Sequence, residues 1–122
     1  YIHAEAYATG ELKHGPLALV TDGFPVLVLA PRGGTSPQTM SALAKLHAIP
    51  WVRILILTDE DLSASGPLDA YASDLVRVPQ VPSVTAPILW TILLQCFAYE
   101  VAVAKGLNPD RPRHLAKTIT VR

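Results

Sequence analysis

The sequence predicts an α/β domain built on parallel strands, and three observations carry that expectation. Two continuous apolar runs, "PVLVLAP" (25–31) and "VRILILTD" (52–59), suit strands covered on both faces of a parallel sheet. Between them, "SPQTMSALAKLHA" places Met40, Leu43, Ala44 and Leu46 at roughly helical spacing. A third and shorter run, "DLVRVP" (74–79), completes an alternation of strand and helix that right-handed crossovers arrange in parallel.

Taken in order, the elements begin late. The chain opens at Tyr1 on "YIHAEAYATGELKHGP", which reads as a connection and not as the first strand or helix of a domain. The expectation is therefore a fragment. Pro16 cannot continue a regular helix, so any helical segment through Lys13 and His14 should end at Gly15. After the first strand, "PRGGTSPQT" leads into a helix with Ser36 as N-cap and Pro37 at the first helical position. A helix N-terminus there suits an anion, but neither GxxxxGK[ST] nor GxGxxG is present, and a flexible loop is the plainer reading.

Asp59, Glu60 and Asp61 follow the second strand at its carboxyl end, where open α/β sheets bind ligands. Carboxylates so placed could hold Mg²⁺; a solvated acidic loop fits the same residues. Residues 85–105 form an almost uncharged stretch, long enough for a membrane span of ~20 residues. Pro87, Gln95 and Glu100, together with the strands before them, argue instead for a central helix packed against sheet or partner. Gly106 fits a C′ position, and Pro109 and Pro112 stop continuation.

Composition bounds the function. With 122 residues, 50% of them hydrophobic, the chain suits one domain with a sizeable core. Ten basic and ten acidic residues give a formal net charge of +0, which lacks the basic surplus of a nucleic-acid binder. Cys96 is alone, so no intrachain disulfide can form. Its apolar surroundings, "WTILLQCFAYEVAVA", predict a buried and inert thiol. Without disulfides or a secretion signal, the expected setting is cytoplasmic.

The four histidines, His3, His14, His47 and His114, show no HxxxH or HxH pairing, and no zinc is expected. His47 reads as a helix-end residue. At His14 a helix C-terminus favours the imidazolium while adjacent Lys13 disfavours it. An imidazole there suits acid–base work, and a helix end that happens to carry charge remains the alternative. Lys117 lies in "LAKTITV", where Leu115, Ile119 and Val121 suggest a tail that packs down. A partly dry pocket would free its amine to attack a carbonyl.

Together, "HAEAYATGELKHGPLALV", "PVLVLAP" and "VPSVTAPILWTILLQCFAYEVAVAKGLNPDRPRHLAKTITV" resemble the closing part of the glutamine–fructose-6-phosphate aminotransferases, or glucosamine-6-phosphate synthases. "GELKHGPLAL" and the PRxLAKxxTV pattern carry most of the resemblance, whereas 32–79 is generic α/β sequence. The resemblance implies a flavodoxin-like, doubly wound, mostly parallel sheet of the sugar isomerase (SIS) type. Residues 1–106 would be the second SIS domain without its N-terminal part, and 107–122 a C-terminal tail.

The same resemblance implies that glucosamine 6-phosphate is made from fructose 6-phosphate and glutamine, without metal or organic cofactor. His14 would open the sugar ring and be presented to the neighbouring subunit of a homodimer. Lys117 would form an imine with the open-chain ketose, and Ala116 would contact the substrate through its backbone. Glu11 carries no assigned chemistry beyond supporting the His14 segment. The family's isomerisation base, a glutamate upstream of "YIHAEAY", is missing here, and Glu5 is not that residue. The phosphate loops of the first SIS domain and the glutaminase domain are missing as well, so the chain alone should be inactive. Arg122 stands where the family usually ends in glutamate. No nucleic acid or membrane is implied as a partner. The alternatives are another SIS enzyme, such as a glucosamine-6-phosphate deaminase or fructosamine deglycase, and a non-catalytic module that senses sugar phosphates.

Overall fold

In the computed structural model, which describes residues 1–32, 37–60 and 67–115, the three apolar runs form strands β1 (Pro25–Ala30), β2 (Arg53–Thr58) and β3 (Asp74–Arg77). They hydrogen-bond in the order β1-β2-β3, all parallel. Val28 lies opposite Ile56, and Thr58 lies opposite both Ala30 and Arg77. The result is the parallel sheet and helix arrangement of an incomplete flavodoxin-like α/β fold.

Side chains alternate faces along a strand, and here that places Val28, Ala30, Ile54 and Ile56 on one side. They are buried against Leu43 and Leu46 of helix α1 (Pro37–His47) and against Leu68. The α1 residues Thr39, Ala42, Leu43 and Leu46 are buried, spaced as one helical stripe. Ala44, expected on that stripe, is exposed. On the opposite sheet face Leu57 is buried, but Leu29 and Val76 are exposed. Continuous apolar strands predict cover on both faces; β1 has it on one, because α1 lies on one side only. Ser73 ties the start of β3 to β2, its Oγ accepting from Ile54 N–H at 3.0 Å and its own N–H donating to Ile54 O at 2.8 Å. At the same end Arg53 pairs with Asp74 at 3.1 Å.

The described residues group into two compact units, one of residues 4–80 and one joining residues 1–3 to the chain from Val81 onward. The second contains helix α2 (Ala86–Ala104). Its end is a full glycine cap: Gly106 has φ 68°, its N–H donates to Val103 O at 2.8 Å, and Leu107 N–H donates to Ala102 O at 2.9 Å. Those two bonds satisfy orphan carbonyls of the last turn in the Schellman pattern. At the edge of this unit, the Arg113 guanidinium carbon stacks 4.0 Å from the centroid of the Tyr1 ring, and Arg113 N–H donates to the Tyr1 hydroxyl.

One sequence expectation fails at α2: Cys96, expected to be buried, is exposed. Among the described residues Trp90 is the helix's one buried residue, while Ile88, Ile92, Phe97, Tyr99 and Val103 are exposed, so of the expected packing against sheet or partner the sheet supplies little. The stretch is apolar around its whole circumference, so its sequence marks burial without saying by what, and the described residues of this chain cover little of it. By length and composition alone, α2 could also cross a membrane.

Candidate active site

The "GELKHGPLALV" stretch folds as two short 3₁₀ turns, Leu12–His14 and Pro16–Leu19. The first begins where Glu11 N–H donates to Ala8 O at 2.9 Å and closes where His14 N–H donates to Glu11 O at 3.0 Å. Gly15 then adopts φ 147°, a conformation that L side chains rarely take. Pro16, with its fixed φ and missing N–H, starts the second turn where that donor is not required.

Burial divides the first turn by residue type, whereas in the second Leu19 is exposed. Leu12, Leu17 and Val20 pack partly buried against the core cluster, so the turns are anchored by their apolar side chains. Glu11, Lys13 and His14 face outward. His14 Nδ1 lies 3.4 Å from Glu11 Oε2, with the two side chains 64% and 67% exposed. Beside them a shallow cleft is lined by Thr9, Lys13 and Leu17 of this segment and by Gln38, Ala42 and Lys45 of α1. Thr9 and Thr39 hydroxyls meet at 3.2 Å and tie the segment to the first turn of α1. Upstream, the Tyr7 hydroxyl donates to Glu5, which holds the phenol above its usual range, because ionisation would lose that bond beside a carboxylate.

The other sequence-derived candidates fare differently. Ala116, Lys117 and Arg122 lie outside the described residues, as do Ser36 and Asp61. Asp59 is a buried structural carboxylate, 7% exposed, that accepts the backbone N–H of Arg32. Glu60 N–H donates to Thr58 Oγ1 at 3.1 Å. Among the described residues no group of three or more His, Cys, Asp or Glu could hold a metal ion. His47, the last residue of α1, meets the Tyr71 ring edge-on at 5.7 Å between centroids, in agreement with a packing role.

Sequence reasoning missed Arg32 and Gln80. They join β1's carboxyl end to the segment after β3 through a 2.8 Å bond from Arg32 Nη1 to Gln80 Oε1. The available signal was positional, since both residues directly follow strand runs, but no spacing rule links them.

Comparison with known proteins adds family to this geometry. The model of the SIS domain family matches residues 1–105. The chain is 44% identical over 125 residues to the glutamine–fructose-6-phosphate aminotransferase (isomerizing) of Corynebacterium glutamicum. It is 44% identical over 121 residues to the enzyme of that name from Pyrococcus horikoshii, and 43% to the one from Thermus thermophilus. In each case the alignment covers 99% of this chain and 19% of the relative, so the chain spans about a fifth of their length.

Proposed function

The chain belongs to the SIS domain family, and from that premise we propose that it forms the closing isomerase part of a glutamine–fructose-6-phosphate aminotransferase. Residues 1–106 serve as the second SIS domain and 107–122 as the catalytic tail. The supporting observation is His14, exposed on a 3₁₀ turn whose Leu12 packs, partly buried, against the core, in a chain so similar along its length to enzymes of that name.

In this reading fructose 6-phosphate binds as the cyclic hemiketal. His14 accepts the proton of the anomeric hydroxyl as the bond from C2 to the ring oxygen breaks and the C2 carbonyl forms. The ring oxygen takes up a proton to become a hydroxyl. Lys117 Nζ then attacks C2, and loss of water leaves an imine. Ammonia derived from glutamine displaces the lysine, and isomerisation gives glucosamine 6-phosphate. The chemistry requires only carbonyl and proton transfers, so no cofactor enters. Ala116 contacts the sugar through its backbone. The remaining groups, including the isomerisation base and the phosphate loops, belong to other segments of a cytoplasmic homodimer in amino sugar biosynthesis, and the 122-residue chain has no activity alone.

Lys117 supplies a direct test. This chain is grafted in place of the aligned segment of the Corynebacterium glutamicum relative, incubated with fructose 6-phosphate and reduced with borohydride. Reduction of the imine should leave the hexose phosphate covalently on the peptide carrying Lys117, read by mass spectrometry. A turning-over chimera with that peptide unmodified would contradict the assignment.

A further inference from the structure

The reading above gives His14 a task and Glu11 none, and the inference drawn from Glu11 rests on that reading. In a 3₁₀ helix, residues i and i+3 eclipse, and Glu11 precedes His14 by that interval. Glu11 stands at the N-cap of the turn, yet its side chain makes no cap hydrogen bond. Its carboxylate instead faces the imidazole, Oε2 to Nδ1, at 3.4 Å.

We propose that Glu11 is a positioning residue that holds His14 in the tautomer with the proton on Nδ1. Donor and acceptor chemistry decides the tautomer. An ionised carboxylate only accepts, so the favourable partner at Nδ1 is an N–H. In the neutral ring this leaves the lone pair on Nε2, the nitrogen farther from Glu11. Nε2 is then the atom that takes the anomeric proton, and the imidazolium so formed keeps its Nδ1–H on the carboxylate. The opposite tautomer would turn a ring lone pair toward the carboxylate oxygen.

The backbone supports this assignment. Leu12 holds the turn against the core, and the 3.0 Å bond from His14 N–H to Glu11 O fixes the two residues at one turn's separation. Lys13, the intervening residue, projects about 120° away on a helix of three residues per turn and lines the cleft toward α1. At 64% and 67% exposure the pair adds little to stability. Its consequence is where the proton sits.

The tautomer is readable without any activity. Long-range ¹H–¹⁵N correlation on this chain with ¹⁵N-labelled histidine, at a pH where the ring is neutral, should show His14 Nδ1 protonated and Nε2 bare. Glu11→Ala and Glu11→Gln should each shift the ring toward the mixed pattern of free imidazole. In the chimera, Glu11→Ala should lower kcat by roughly 10–100-fold, the range known for carboxylates that orient metal-bound histidines, with KM nearly unchanged. An Nε2–H tautomer in the unmodified chain, or a ring spectrum unmoved by Glu11→Ala, would overturn the assignment. Because the spectra need no turnover, they judge Glu11 even if the proposed reaction fails.

Discussion

His14 owes its position to residues with no chemistry of their own. Leu12 and Leu17 bury toward the core, and Gly15 takes a backbone conformation that separates the two turns. Glu11, Lys13 and His14 are left facing outward. If His14 moves a proton in the rate-determining ring opening, His14→Gln in the chimera should lower kcat by about 10²–10⁴-fold, the usual weight of a positioned acid or base. Unchanged kcat would remove it from the chemistry. The place of His14 at the end of a turn was legible in the sequence because Gly15-Pro16 marks an interruption of the helix. Its contact with Glu11 was not, since only 3₁₀ geometry brings i and i+3 so directly into line. Asp59 shows the reverse case: its place after a strand suggested a ligand site, but burial and the Arg32 N–H make it a structural acceptor.

At the level of elements, apolar continuity located the strands closely: 25–31 became Pro25–Ala30, 52–59 became Arg53–Thr58 and 74–79 became Asp74–Arg77. Helix α1 began at Pro37 as its sequence implied, and α2 ended ahead of Gly106. These boundaries were readable because proline and glycine act locally. Burial depends on neighbours and was harder to read. For α1 the stripe has one apolar side, and Leu43, 1% exposed, sits at its centre against β1 and β2. Leu43→Ala should cost about 2–5 kcal/mol, the range for large-to-small changes in a packed core, measured as a lower urea midpoint. A loss below about 0.5 kcal/mol, typical of surface positions, would mean that α1 does not cover the sheet as described. For α2 no side is distinguished, so the sequence could not say which residues face inward.

For the whole molecule, a family model covering 1–105 and similarity over 99% of the chain agree with the motifs at its two ends. In the sequence the middle of the chain carried the fold, and the ends carried the proposed function. That division is physical. A parallel strand is specified by apolar character that many sequences share, whereas a histidine before Gly-Pro or a lysine in an apolar tail requires particular atoms. The chain still spans only about 19% of the relatives it matches, and in the proposed reading its two working residues act together with groups from other segments. The most direct measurement is therefore formation of glucosamine 6-phosphate from fructose 6-phosphate and glutamine, with this chain assayed alone and within the Corynebacterium glutamicum chimera. Product is expected from the folded chimera and none from the chain alone. Turnover by the chain alone, or a folded chimera that makes no product, would contradict it.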